Sequence, residues 1–364
     1  MKKMIVFLTV LAAVSCGPKV LKKDHWQKAV HETLSELILE CGNSSADYAG
    51  SPRPYAVFDF DNTSVVGDIS NNLMVWQIEH LQFGPQAIVE GFLPCVEDRS
   101  VTLPGYDITA EEMSELLMKN YTVLKARLDS GTPLDEVQKS EEYLTFRAAF
   151  FTLYKGLSAI DYSMMCQWMP ALLSGLPMDQ ARSLLAASTQ ANLSLGECSL
   201  EEWVSPDGRF KAEAERGLVI TDEMRHLYQS LTDNGIDVYV CSASMEWFVE
   251  TLACDKEIGF GLPEENVFGL RFVDADVFTP EWVSDYSQPL KEGKVACIES
   301  MIAPLYGGTG PVLVAGDSNG DVAMLTAFDD MRNGLIWDRG NSGDIAALAD
   351  QARAGRNRGR YLVD

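Results

Sequence analysis

The chain has 364 residues, of which 46% are hydrophobic and 23% charged, and a formal net charge of -24 at pH 7. This length allows two folding units with large cores, and the ordinary composition excludes disordered and fibrous proteins. The negative charge argues against nucleic acid and anionic lipid as partners, because both are bound by clustered Lys and Arg. An anionic small substrate would therefore need a local positive site.

The N-terminus has the pattern of an export signal. Positive charge in residues 1–3 precedes the apolar run 4–14, which is too short to span a bilayer, and small residues then lead to Cys16. The pattern resembles a bacterial lipoprotein signal, with Cys16 lipidated as the first mature residue. We therefore expect an exported protein, periplasmic or anchored to the outer membrane through that lipid alone. Plain secretion with cleavage nearby is the alternative.

The cysteines and histidines do not predict a scaffold or a zinc site. Seven cysteines remain after Cys16, without any C-x-x-C pair, and an odd number cannot all pair within one chain. Cys241 and Cys297 lie in apolar runs and are expected to be buried free thiols. The four histidines are scattered, without the spacing of metal ligands.

The first half of the chain is predicted to be mostly helical. An amphipathic helix over 22–41 should dock on the globular body, and the turn-rich segment 42–54 should link it to a strand at 55–58. Residues 65–68 would be a flexible exit from this strand. The apolar periodicity then predicts helices over 71–83, 110–128, 141–157, 162–173 and 178–193.

The second half alternates helix with strand, which is typical of a parallel α/β sheet. Strands are expected at 236–241, 311–315 and 334–337, a hairpin at 267–278, and helices at 219–231, 245–253, 294–302, 321–327 and 343–353. The basic segment 353–360 should be a solvated helix end. We predict an α/β fold, a doubly wound parallel sheet with an inserted helical cap domain. The expected parts are a signal peptide (1–16), an N-terminal helix and linker (17–54), the α/β core (55–83 and 216–364) and the cap (84–215).

Polar side chains follow three of the predicted strands, and a lysine opens one of the helices. Because the carboxyl ends of parallel strands meet at one edge of a sheet, we expect these residues to converge. They are Asp59, Asp61 and Thr63 after the first strand, Ser242 after the second, Lys294 within KEGKVACIES, and Asp317 and Asp321 within GDSNGD. Taken singly, each has a simpler interpretation as a helix cap, a surface lysine or a turn, so only their joint occurrence indicates a site.

The four motifs, in this order and spacing over residues 55–348, resemble those of the haloacid dehalogenase superfamily of phosphohydrolases. The resemblance implies a Rossmann-like core. It implies that Asp59 is a nucleophile that forms an aspartyl-phosphate. It also implies that Asp61 protonates the leaving oxygen and later activates water.

The resemblance also implies a cofactor and a phosphate site. Mg²⁺, which prefers oxygen ligands, would be held by the side chains of Asp59 and Asp317 and the backbone carbonyl of Asp61. The phosphoryl group would be bound by Thr63, Ser242, Lys294 and the N–H of Ala243 at the start of the next helix. Asp321 would brace the metal or Lys294.

Two positions depart from the pattern. Asn319 lies two residues before Asp321, whereas phosphoserine phosphatase-like members place Asn directly before that aspartate, so Asn319 is given no metal contact. Lys291 competes with Lys294, which is preferred because it opens an amphipathic helix.

The first motif continues as Asp61-Asn62-Thr63-Ser64, which is similar to phosphorylcholine phosphatases. A small phosphomonoester is therefore expected, phosphocholine- or phosphoserine-like. The aromatic residues in or beside the cap would either face a cationic headgroup or simply pack; they are Trp76, Trp168, Trp203 and Tyr154. The alternatives are a phosphotransferase or mutase on the same fold, and a non-catalytic solute-binding lipoprotein.

Overall fold

A computed structural model describes residues 20–356 and 359–364. The export signal and Cys16 lie outside the described residues, so secretion and lipidation stay predictions. No helix within the described ranges combines the length and the apolar character needed to cross a membrane.

The strands are β1 Tyr55–Phe58, β2 Ser199–Val204, β3 Lys211–Arg216, β4 Asp237–Met245, β5 Val267–Leu270, β6 Leu313–Gly316, β7 Asn333–Ile336 and β8 Tyr361–Val363. The α-helices are α1 Lys28–Cys41, α2 Ile69–His80, α3 Pro85–Val89, α4 Ala110–Asp129, α5 Leu134–Val137, α6 Glu141–Ile160, α7 Tyr162–Ala171, α8 Met178–Leu195, α9 Asp222–Asp233, α10 Glu246–Ala253, α11 Glu292–Cys297, α12 Val322–Ala327 and α13 Asp344–Arg353. A π-helical turn, Ile298–Ile302, extends α11.

The centre of the fold is a six-stranded sheet in the order β5-β4-β1-β6-β7-β8, in which all pairs are parallel. Every residue of β1, β5, β6 and β7 is buried, as expected for strands covered by helices on both faces. This confirms the predicted doubly wound α/β fold. Because β1 lies between β4 and β6, the ends of these three strands are neighbours.

The N-terminal helix docks as predicted. Leu34 and Ile38 of α1 are fully buried in the same hydrophobic cluster as Phe58 of β1 and Leu231 of α9. An amphipathic stripe needs an apolar partner to be stable in water, and the sheet with α9 provides it.

Residues between β1 and α9 form a second hydrophobic cluster, in which apolar residues of α4 and α6 pack with aromatic residues such as Phe83, Phe92 and Trp168. Val66, on the way out, and Val219, on the way back, form an antiparallel bridge. The two crossings between the core and this insertion are therefore adjacent. The domain limits 84 and 215 remain a prediction.

The insertion is not wholly helical, because β2 and β3 form an antiparallel pair. Residues 205–208, Ser-Pro-Asp-Gly, connect the two strands, and this turn signal was available in the sequence. On β3 the small residues Ala212 and Ala214 face inward while charged residues alternate with them. The predicted helical insertion is therefore mainly helical, and the element that the prediction lacked is the β2–β3 pair.

Two expectations in the core are wrong in detail, and one strand was not predicted. Residues 267–278 are not a hairpin, because β5 ends at Leu270 and pairs in parallel with β4, while Phe272 bridges to Trp282. Strand β4 continues to Met245, beyond the predicted end. Residues 353–356 at the end of α13 are exposed, as expected for a solvated helix end. The strand that was not predicted is β8, an edge strand of three residues that is too short to leave a periodic signal.

Candidate active site

The predicted motifs converge at the carboxyl edge of the sheet around a cavity of roughly 210 Å³. The cavity wall includes residues from the ends of β1, β4 and β6, from α11 and from the insertion helices α6 and α7. Asp59, Asp61, Ser242, Lys294 and Asp317 all line it. The topological argument from strand ends is therefore confirmed.

Lys294 forms the deepest ion pairs of this site. Its Nζ donates to Asp59 Oδ1 at 2.5 Å and to Asp321 Oδ1 at 2.6 Å, and only 2% of its side chain is exposed. Lys291 makes neither contact, and the assignment of Lys294 to the third motif stays a prediction. The helix begins at Glu292, however, so Lys294 lies in its first turn and does not open it.

Asp61 is held by two donors from different parts of the chain. Its Oδ1 accepts the N–H of Ile69 at 2.8 Å, and its Oδ2 accepts the hydroxyl of Ser244 at 2.6 Å. Ser244 also bonds Ser70 at 2.8 Å. These contacts fix the orientation of the Asp61 carboxyl group.

Thr63 lies between two carboxylates. Its hydroxyl donates to Asp59 Oδ2 at 3.2 Å and lies 3.4 Å from Asp317 Oδ1. The residue is buried, so in this structure it orders the acidic residues. Its predicted contact with the phosphoryl group remains a prediction.

Asp321 organises the loop after β6. Its Oδ2 accepts the N–H groups of Asp317 and Ser318 at 3.1 and 2.9 Å. This close approach depends on Gly316, where a Cβ would lie 2.4 Å from the Cβ of Asp321. Asp321 therefore braces both the loop and Lys294, as predicted.

Ser242 and Ala243 line the cavity, but the predicted helix start at Ala243 is wrong. Both belong to β4, whose pairing with β5 shifts register between Cys241 and Met245, and α10 begins only at Glu246. The Ser242 hydroxyl accepts the N–H of Ser244 at 3.0 Å. Strand β4 is therefore irregular between Cys241 and Met245, where it borders the cavity. Irregularities of this kind are common next to active sites.

Two residues that motif reasoning missed add charge to the site. Arg339, just beyond β7, donates to Asp317 Oδ2 at 3.0 Å. Asp68 lines the cavity, and one of its oxygens accepts the N–H of Asn71 at 2.8 Å as the N-cap of α2. From the sequence, Asp68 is expected only at the end of the flexible exit 65–68, before a helix predicted to start at residue 71. Asn319, which was given no metal contact, accepts the N–H of Ile345 at 3.0 Å and so caps the start of α13.

The carboxylates outnumber the cations that face them, and their pKa values reflect this. Burial and the charge of Asp321 raise the pKa of Asp59 to about 8, against the opposing effect of Lys294. Burial and Asp321 also raise the pKa of Asp317 to about 6, opposed by Arg339. The site is thus short of positive charge.

Burial, followed by the nearby charge of Asp68, raises the pKa of Asp61 well above its usual range. Burial alone would lower the pKa of Lys294, but Asp321 and Asp59 outweigh it and raise that pKa. Lys294 therefore stays charged, whereas Asp61 favours the protonated form.

The acidic group fits a divalent cation. Asp59, Asp317 and Asp321 are buried, and each offers an oxygen within 4.8 Å of the others. An all-oxygen donor set is the one that hard divalent cations prefer. A dication would also supply the positive charge that the site is short of.

Cys241 and Cys297 are buried free thiols, as predicted. The tryptophans named from the sequence do not line the cavity. Trp168 is fully buried and donates to the carbonyl of Phe92 at 2.9 Å, Trp203 is fully buried, and Trp76 stacks on His80. Only Tyr154 of that aromatic set is a cavity residue.

Comparison with known proteins defines the class. Residues 199–326 match the family of haloacid dehalogenase-like hydrolases. A phosphorylcholine phosphatase from Pseudomonas aeruginosa is 24% identical over 337 residues, which cover 92% of this chain and 79% of that protein. A conserved protein of unknown function from Anaerococcus prevotii DSM 20548, known from a crystal structure, is 30% identical in sequence to this chain. The two structures superpose with a TM-score of 0.83 over 94% of this chain and 93% of that protein. The chain therefore belongs to the haloacid dehalogenase superfamily and is one of its phosphatases, as the motifs predict.

Proposed function

We propose that the protein is a Mg²⁺-dependent phosphomonoesterase that works through an aspartyl-phosphate on Asp59 and acts on a small substrate with a cationic headgroup, such as phosphocholine. The main support is the cavity itself, in which buried Lys294 contacts Asp59 at one end and Asp68 provides a carboxylate for a cation. The similarity to a phosphorylcholine phosphatase points to the same substrate class.

In the first step an oxygen of Asp59 attacks phosphorus, and the bond between phosphorus and the substrate alcohol breaks. Lys294 offsets the charge of Asp59 and Asp321 and so lowers the repulsion that a dianionic phosphate meets. Mg²⁺ held by Asp59, Asp317 and the carbonyl of Asp61 would supply further positive charge there. The hydroxyl of Ser242 and the backbone of Ala243 line the same cavity, where they can bind phosphoryl oxygens.

Asp61 then serves both proton transfers. Its raised pKa keeps a proton available for the leaving alcohol oxygen. Once ionised, the same carboxylate accepts a proton from the water that attacks the phosphorus of phospho-Asp59. Phosphate leaves and Asp59 is regenerated. The Ser244 hydroxyl, 2.6 Å away, holds Asp61 in place through both steps.

The cavity wall also contains Asp68 from the core and Tyr154, Tyr162, Met165 and Met169 from the insertion, and we infer that the headgroup lies against these residues. Aromatic faces beside a carboxylate suit an ammonium group, because both attract positive charge. Polarisable thioethers adapt well to methyl groups. This wall favours a choline-like headgroup over one that carries a carboxylate.

An Asp68→Asn variant tests the headgroup. We expect the KM for phosphocholine to rise by about 10-fold more than the KM for p-nitrophenyl phosphate, because only phosphocholine loses an ion pair with its cation. Loss of the charge that raises the pKa of Asp61 should change kcat for both substrates. The measurement is steady-state kinetics on both substrates, with Asp329→Asn, an exposed aspartate, as the charge-matched control.

Equal losses on both substrates would show that Asp68 acts on the common chemistry and not on the headgroup. Assays with an added acceptor alcohol would separate hydrolysis from phosphoryl transfer, since transfer yields a new phosphomonoester in place of inorganic phosphate.

Metal binding should appear as a pH-dependent stability. The pKa values of Asp59 and Asp317, about 8 and about 6, lie above the ordinary 3.8, so the folded state holds protons that the unfolded state releases. Without metal, this cluster should cost stability as the pH rises from about 4 to about 8. Saturating Mg²⁺ should restore it, so its melting-temperature shift should be larger at about pH 8 than at about pH 5.

Thermal unfolding in EDTA and in Mg²⁺ across that pH range measures this effect. Asp317→Asn should remove most of the Mg²⁺ shift, whereas Asp329→Asn should keep it. A shift of the same size at both pH values would count against metal binding at these carboxylates.

A further inference from the structure

Lys291 has a backbone conformation that its side chain makes unfavourable. Its φ of 52° and ψ of -114° place it at the first central position of a tight turn, closed by the N–H of Gly293 on the carbonyl of Leu290 at 2.8 Å. Glycine is the residue that adopts this conformation without strain. Residues that are strained in this way cluster at functional sites, where a side chain is needed despite its cost.

The turn points the Lys291 ammonium group at the insertion. Its Nζ lies 5.6 Å from the ring centroid of Tyr162 on α7, and both residues line the cavity. A cation at this distance over an aromatic face is attracted by the ring. The residue forms no salt bridge with any carboxylate in the described part of the chain.

The same turn also connects Lys291 to Lys294, the lysine proposed to face the phosphate. The N–H of Lys294 donates to the backbone carbonyl of Lys291 at 3.0 Å, which fixes the backbone between the two lysines. Both lysines line the cavity. A flexible four-carbon stem lets Lys291 reach in more than one direction. Its ammonium group therefore lies over an aromatic face in the same cavity as the Lys294–Asp59 pair.

We propose that Lys291 is a specificity-determining residue: its ammonium group rests on Tyr162 in the ligand-free protein, yields that face to the cationic headgroup, and turns to the phosphoryl oxygens. The lysine then acts as an internal placeholder for the headgroup. A substrate with both a cation and a phosphate satisfies the two positions together, whereas a neutral phosphomonoester leaves Tyr162 without a cation. This inference rests on the cationic headgroup of the proposed function.

A Lys291→Met variant tests the contact with Tyr162 and the contact with the phosphoryl oxygens separately, because it removes the charge and keeps most of the side-chain stem. Choline and inorganic phosphate serve as separate probes, each as an inhibitor of p-nitrophenyl phosphate hydrolysis. We expect choline to bind about threefold more tightly, since its competitor for Tyr162 is gone. We expect inorganic phosphate to bind about fivefold more weakly, since a cation is lost.

Lys291→Gly should show the same opposite changes and also raise the melting temperature, because the turn is relieved of strain. Lys256→Met, an exposed lysine outside the cavity, is the control and should change neither inhibition constant. A purely structural role for Lys291 would move both constants in the same direction, or neither, and would overturn the proposal.

The wild-type protein distinguishes the two levels of failure. If choline does not inhibit it, the cationic headgroup is wrong and the role of Lys291 falls with it. If choline inhibits the wild type and both Lys291 variants bind choline as the wild type does, only the role of Lys291 is overturned.

Discussion

Asp59→Asn is expected to lower Mg²⁺-dependent hydrolysis of p-nitrophenyl phosphate by about 10⁴-fold or more, because an amide cannot form the aspartyl-phosphate. Asp59 is buried, and Lys294 Nζ and the Thr63 hydroxyl already bond its two oxygens. Asparagine keeps the shape and one acceptor oxygen. The loss should therefore be chemical and not structural, with thermal unfolding close to that of the wild type.

The experiment has two readouts. Steady-state rates report the loss, and acid-quenched protein incubated with labelled substrate reports the covalent phosphate, which should be present in the wild type and absent in Asp59→Asn. Asp329→Asn should behave as the wild type in both. Unchanged hydrolysis in Asp59→Asn would mean that another group attacks phosphorus.

Lys294→Met should be the most destabilising single change at the site. It leaves the buried Asp59 and Asp321 carboxylates without their cation, and breaking a buried ion pair by removing one partner costs about 3–5 kcal/mol of unfolding free energy. Hydrolysis should fall as well, since the charge facing the phosphate is lost. Urea unfolding measures the first effect.

A second substitution separates charge from packing. In the Lys294→Met background, Asp321→Asn should recover part of the lost stability, because one unpaired carboxylate is removed. Lys139→Met, at an exposed ion pair with Asp135, is the control and should be nearly neutral. If Asp321→Asn destabilises the double variant further, the buried charges are not the cause.

The sequence predicted the sheet and the acidic residues at its edge because each strand and the residues that follow it are visible in a short stretch of the chain. Strands β1 and β6 are short apolar runs that end in acidic residues, and parallel topology brings such ends together whatever lies between them. The resemblance to the haloacid dehalogenase superfamily implied that Lys294 lies beside Asp59, as it does in the structure. Contacts that the chain makes within a motif or along one sheet edge are thus predictable.

The remaining site residues have no such signal. Asp68 was expected only in the flexible exit 65–68, and its place in the cavity depends on how α6 and α7 lie over the core. Ser244 reaches Asp61 only because β4 continues past its predicted end. Arg339 meets Asp317 across two strands. These contacts are tertiary, so propensity and spacing do not encode them.

The position of β1 has a consequence for how the chain is made. As the first strand of the sheet to be synthesised, it needs β4 and β6 as neighbours, and both follow the whole insertion. A nascent chain therefore carries an apolar segment with unpaired edges while several helices emerge after it. The insertion has its own hydrophobic cluster and can begin to collapse during that wait. Long-range pairing of this kind folds late. Asp59, the proposed nucleophile, is thus made early but reaches its final surroundings late.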